Sequence, residues 1–104
     1  MFYTVYETSI FLRTTSSIWT EQERVTFVEW IACNPEAGNV IPGSGGLRKV
    51  RWSMQGMGKR SGVRIIYLNQ LEDGEINLLI AYTKSKFDNL SNDFLLKLRY
   101  EVLK

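Results

Sequence analysis

The stretch Gly43–Asn69, GSGGLRKVRWSMQGMGKRSGVRIIYLN, governs how the rest of the chain is read. A glycine-rich lead-in, Gly43, Gly45 and Gly46, runs into a strand-like segment, Leu47–Trp52. A second glycine-rich link, with Gly56, Gly58 and Gly62, leads to another, Gly62–Asn69. The two segments and their connection of roughly nine residues predict a β-hairpin. Of thirteen basic and eleven acidic residues in the chain, six basic and no acidic ones fall between Arg48 and Arg64. That leaves seven basic against eleven acidic elsewhere. Six like charges (Arg48, Lys49, Arg51, Lys59, Arg60 and Arg64) within seventeen residues repel one another and have no local acid to relieve them. A basic ribbon on an acidic body is the electrostatic footprint of a nucleic-acid-binding surface, more telling than the net charge of +2.

On either side of the hairpin the chain alternates strand and helix signals. Phe2–Glu7 is aromatic and β-branched, which predicts a first strand. Ile10–Ser17 has no clean period and fits a short helix or an irregular link. Thr20 followed by Glu23 is a capping box and predicts the start of a helix. Its apolar side is Val25, Phe27, Val28, Ile31 and Ala32, and Asn34-Pro35 ends it. Glu36–Gly46, with Pro42 and four glycines, is a loop. Asp73-Gly74 signals a turn into a strand over Glu75–Thr83. Ser91 caps a last helix with an apolar stripe of Phe94, Leu95, Leu98 and Val102. The expectation is one α+β domain over residues 1–104, a small antiparallel sheet of about four strands with helices packed on one face.

Composition excludes several chemistries. The chain has 104 residues, 44% hydrophobic, with no run long enough to span a bilayer and no signal-peptide pattern at its start, so cytoplasmic residence is the expectation. One cysteine, Cys33, rules out an internal disulfide; beside an amphipathic helix it reads as a small buried or half-buried residue. With no histidine, imidazole acid–base catalysis is excluded, and a zinc site would need carboxylates almost alone. No cofactor or metal is expected. The glycines do not form a phosphate-binding loop: Gly45-Gly46 opens a strand, and Gly58-Lys59 is followed by Arg60 where such a loop needs Ser or Thr.

Strand alternation places Lys49 and Arg51 on one face and Arg48, Val50 and Trp52 on the other. Arg64 shares a face with Ile66 and Leu68, and Tyr82 shares one with Lys84 if extended structure reaches that far. Trp52, Tyr67 and Tyr82 are candidates for stacking on unpaired bases. Core packing competes for Trp52, and Tyr82 stands out because Lys84 and Lys86 follow it. Trp19, Trp30, Phe27 and Phe94 lie beside helical stripes and read as core.

Three segments carry a resemblance: Asn34–Trp52 (NPEAGNVIPGSGGLRKVRW), Gly58–Tyr67 (GKRSGVRIIY) and Ile80–Lys86 (IAYTKSK). They resemble the RelE superfamily of bacterial toxins, most closely its HigB branch. The resemblance implies the toxin of a type II toxin–antitoxin pair, a ribosome-dependent mRNA endoribonuclease (an mRNA interferase) that cuts mRNA in the ribosomal A site and so inhibits translation. It also implies metal-independent chemistry, in which the 2′-hydroxyl attacks the adjacent phosphate, and a cognate HigA-like helix-turn-helix antitoxin. The family's basic positions fall on Lys49, Arg51, Arg64 and Lys84, with Lys86 as neighbour. Arg48, Lys59, Arg60 and Lys86 complete the expected RNA-binding set. Asp88–Asn92 lacks the tyrosine that some RelE toxins carry there, so either Tyr82 fills that role from the strand or the role is absent. Crowding by like charges favours the neutral form of an amine, so Lys49, Lys59 and Lys84 are the candidates for general base. Two rival readings use the same ribbon: a non-catalytic nucleic-acid-binding module, and a degenerate toxin that serves as an antitoxin-binding subunit.

Overall fold

The computed structural model describes residues 3–53, 62–83 and 90–103. Along them run β1 (Thr4–Glu7), α1 (Ser9–Thr15), α2 (Glu21–Cys33), β2 (Asn39–Val40), β3 (Arg48–Trp52), β4 (Val63–Gln70), β5 (Glu75–Thr83) and α3 (Asn92–Leu103). The strands make one five-stranded sheet in the order β1-β5-β4-β3-β2. β2, β3, β4 and β5 pair antiparallel, whereas β1 pairs parallel with β5. The fold class is the expected α+β, with β2 as an additional two-residue edge strand. The loop between β3 and β4, expected from its glycines, lies largely outside the described residues.

Local signals explain most boundaries. Thr20 Oγ1 accepts from Glu23 N–H while Glu23 accepts from Thr20 N–H, closing the capping box of α2. Thr8 caps α1, the short helix in the ambiguous Ile10–Ser17 stretch, by accepting from Phe11 N–H. Ser91 accepts from Phe94 N–H and so begins α3. Between β4 and β5 a single 3-10 turn, Leu71–Asp73, ends at Gly74, whose φ of 72° suits glycine.

Two apolar cores lie against the sheet. On one face Phe11 of α1 and Phe27 and Ile31 of α2 pack with Val50, Val63, Ile65, Tyr67 and Ala81. Trp19, Phe27, Trp30 and Trp52 form a chain of ring contacts there, with Trp30 and Trp52 centroids 4.9 Å apart. Trp52 is therefore a core residue. Tyr67 is fully buried, its hydroxyl accepting from Gly38 N–H at 2.8 Å and donating to the Pro35 carbonyl at 2.9 Å. Each fully buried side chain of this size contributes about 1.5–3 kcal/mol.

On the other face Leu95 and Leu98 of α3 pack with Leu47, Ile66, Leu68, Leu79, Ile80 and Tyr82. The helices thus do not share one face: α1 and α2 cover one side of the sheet and α3 the other. The reason lies in the strands, since β4 and β5 are buried on both faces over most of their length. Two further expectations are corrected by burial. Val25 and Phe94 are 36% and 38% exposed, because Val25 lies about 200° around α2 from the buried Phe27 and α3 is seated by Leu95 and Leu98. Cys33 is exposed, being the last residue of α2.

A register shift between Ile66 and Tyr67 leaves Leu79 without a partner on β4. α1 compensates at the other edge of β5. Thr8 Oγ1 donates to the carbonyls of Leu78 and Leu79, and Thr14 Oγ1 accepts from Ala81 N–H. Hydroxyls thereby replace the ladder that β1 ends at Leu78.

Candidate nucleic-acid interface

The alternation in β3 holds. Val50 and Trp52 face the α2 core, which turns Lys49 and Arg51 to the α3 side. In register, Arg51 stands opposite Arg64, and Arg64 opposite Tyr82. These three residues form one row across β3, β4 and β5, with neighbours about 4.5–5.5 Å apart at Cα. One step along, Lys49 stands opposite Ile66 and Ile66 opposite Ile80. Lys49, Arg51, Arg64 and Tyr82 are therefore brought to one patch of one face.

Depth increases along the row. Arg51 is exposed, Arg64 is 8% exposed and Tyr82 is 3% exposed. Arg64 Nη1 is buried and has no hydrogen-bond partner. Among the described residues no carboxylate lies within ion-pair distance of Lys49, Arg51 or Arg64. Such an unpaired buried donor costs the full desolvation of its group. Burial pushes the Tyr82 phenol above its ordinary 10.0, and the Arg64 guanidinium beside it pulls partly back. The phenol is thus protonated at neutral pH and is a hydrogen-bond donor rather than a base.

The wall beside the row is apolar. Ile41, Lys49, Ile66, Tyr82, Leu90 and Leu95 enclose a small cavity of about 40 Å³. Ile41 and Leu90 were not singled out from sequence, because they reach the site only through the loop before β3 and the segment before α3. Arg99 of α3 donates from Nε to the Gly45 carbonyl at 2.8 Å, tying the helix to the glycine turn that opens β3. Its contribution had no local signal.

Arg48 does not join the row. It lies on the opposite face, where Nη1 donates to the Gly38 carbonyl at 2.7 Å and Nη2 approaches Glu36 Oε2 at 3.9 Å. Its charge is spent on the loop that also carries the Tyr67 contacts, so it is better read as a strut than as an RNA contact. Lys59, Arg60, Lys84 and Lys86 lie outside the described residues. Among the described residues no three Cys, Asp, Glu or His side chains are grouped to hold a metal ion, and no helix is long and apolar enough to cross a membrane.

No protein-family model matches the chain. Among solved structures it is similar to the Escherichia coli toxin RelE, a double arginine-to-alanine mutant in the free state. The TM-score is 0.64 at 13% sequence identity, over 100% of both chains. The chain has the RelE fold. In this RelE-like frame the α3 side of the sheet carries the cationic row, and at this identity the chemistry is argued from the residues themselves.

Proposed function

We propose that this protein is a RelE-superfamily toxin of the HigB branch, a cytoplasmic endoribonuclease that cuts mRNA in the ribosomal A site and is held inactive by a HigA-like helix-turn-helix antitoxin. The observation that supports this most is Arg64: a residue only 8% exposed, its Nη1 buried and unpartnered, set between Arg51 and Tyr82 in the sheet register. A buried cation left unpaired destabilises the fold, and a phosphodiester supplies the partner it lacks.

The chemistry follows from that placement. The 2′-oxygen of a nucleotide attacks the adjacent phosphorus, forming the 2′-O–P bond as the P–O5′ bond breaks. Arg64 and Arg51 neutralise the negative charge that grows on the non-bridging oxygens, an effect of about 3–4 kcal/mol for one well-placed donor. The protonated Tyr82 hydroxyl donates to a phosphate or leaving oxygen. The 2′-hydroxyl proton passes to a base, for which Lys49 is the described amine on the patch and Lys59 and Lys84 remain the other candidates. The freed 5′-oxygen takes up a proton.

The test is mRNA cleavage on translating ribosomes with purified protein, mapping new ends against the reading frame. Arg64→Ala is expected to lower cleavage by roughly 100-fold or more. Full cleavage by Arg64→Ala would remove the assignment, and RNA that is bound but left intact by the wild type would identify a binding module.

A further inference from the structure

The glycine turn that opens β3 lies against α3, and its two sides differ. Ser44, fully buried, fastens it from inside: the hydroxyl donates to the Ile41 carbonyl at 2.6 Å and accepts from Leu47 N–H at 3.1 Å. The outer rim is Gly45 and Gly46, exposed and at φ 73° and 98°. Their N–H groups have no hydrogen-bond partner among the described residues. Arg99 reaches this rim from α3. Its Nε is taken by the Gly45 carbonyl at 2.8 Å, but no described residue accepts a hydrogen bond from Nη1 or Nη2. No described carboxylate lies within ion-pair distance of it either. Arg48 is the contrast, since its Nη groups are occupied by the Gly38 carbonyl and Glu36.

This cation continues the line of the row. β3 turns Arg51, Lys49 and Leu47 successively to the α3 side, each roughly 7 Å from the next. Lys49 and Leu95 line the small cavity beside the row, and Arg99 follows Leu95 by one helical turn, about 6 Å along α3. Resting on the reading of the row as an RNA site, we propose that Arg99 and the Gly45–Gly46 rim hold a second phosphate of the same RNA strand, beyond the one at Arg64. The two Nη groups match a phosphate bidentately, and the exposed amides add donors of the same sign beside them. Because Nε is already pinned, the side chain gives up little freedom when the anion arrives. A strand fits better than a lone anion, since the cations recur at even steps along β3 and so track a backbone. The substrate is then single-stranded RNA gripped over several nucleotides, with Lys49 between the two phosphate sites.

The test is the salt dependence of binding to a single-stranded RNA of about ten nucleotides, 2′-O-methylated so that it cannot be cut, followed by fluorescence anisotropy. Arg99→Gln keeps a donor for the Gly45 carbonyl and loses the charge. It is expected to lower the slope of log K against log salt by about 0.7, the value of one phosphate contact on a single strand, and Arg99→Lys to preserve it. A variant that merely loosened α3 would lose affinity at every salt concentration with the slope intact. Lys97→Gln, which removes an exposed cation about 200° around α3 from Arg99, is the control and should leave the slope unchanged. An unchanged slope in Arg99→Gln, or an equal fall in Lys97→Gln, would overturn this inference and leave the RNA reading standing. Failure of the wild type to bind the strand would overturn both.

Discussion

Replacing Arg64 with methionine is expected to stabilise the protein and to abolish the RNA cleavage proposed for it. Methionine keeps an unbranched stem but carries no charge. Two costs disappear with the guanidinium. The buried Nη1 without a partner costs about 1–3 kcal/mol, and the like charge of Arg51 directly across the β3–β4 pair costs about 0.2–1 kcal/mol. Allowing for imperfect packing of the methionine, the net gain is put at about 1–2 kcal/mol. For a domain of this size each kcal/mol moves the melting temperature by about 4–8 °C. The assay is urea unfolding followed by tryptophan fluorescence, with the slope against urea held equal between variants. A loss of stability above about 1 kcal/mol would refute the reasoning, since the group would then hold the fold together rather than await a ligand. A stable variant that still cleaves would refute its other half.

Four further outcomes follow from named residues. Thr20→Ala removes one arm of the α2 capping box and is expected to cost about 1 kcal/mol in urea unfolding, with Thr20→Ser nearly neutral. Gly74→Ala meets open space, so it should cost only the left-handed backbone penalty of about 1–2 kcal/mol. Gly45→Ala, at φ 73° with its new Cβ only 2.6 Å from Arg99 Nε, should cost more than Gly74→Ala and loosen α3 in hydrogen exchange. The phenols of Tyr67 and Tyr82 are both raised above 10.0 by burial. At higher pH the unfolded chain loses these protons first, so their contribution is intact below pH 10 and is lost as pH climbs from there through the folded values. Urea unfolding should show the decline starting near pH 10, and Tyr82→Phe should reduce it; a flat profile would contradict the burial argument.

Much of this arrangement was legible where the signal is local. The Thr20–Glu23 pair, the alternation of Lys49 and Arg51 with Val50 and Trp52, and the Asp73-Gly74 turn each depend on residues a few positions apart. What the sequence hid depends on distant segments. An apolar stripe on α3 says that the helix packs, not which sheet face receives it, and the burial of Arg64 and Tyr82 follows from that choice. Arg48 looked like its neighbours by charge, yet Glu36 and the Gly38 carbonyl reach it only once β2 pairs with β3. β1 could be read as a strand, but its parallel partner lies at the far end of the sheet order. The exposure of Val25 follows from helical periodicity itself, which sets it about 200° around α2 from the buried Phe27.

The pairing of β1 with β5 also governs when the protein becomes whole during its own synthesis. β3, β4 and β5 adjoin in sequence and can assemble as they emerge, but Thr4 must wait for Glu75 before the first strand has anywhere to dock. α3, which supplies Leu95 to the wall of the cationic row, emerges later still. The Arg51–Arg64–Tyr82 row can therefore line up on β3, β4 and β5 before either the first strand or the wall from α3 has docked beside it.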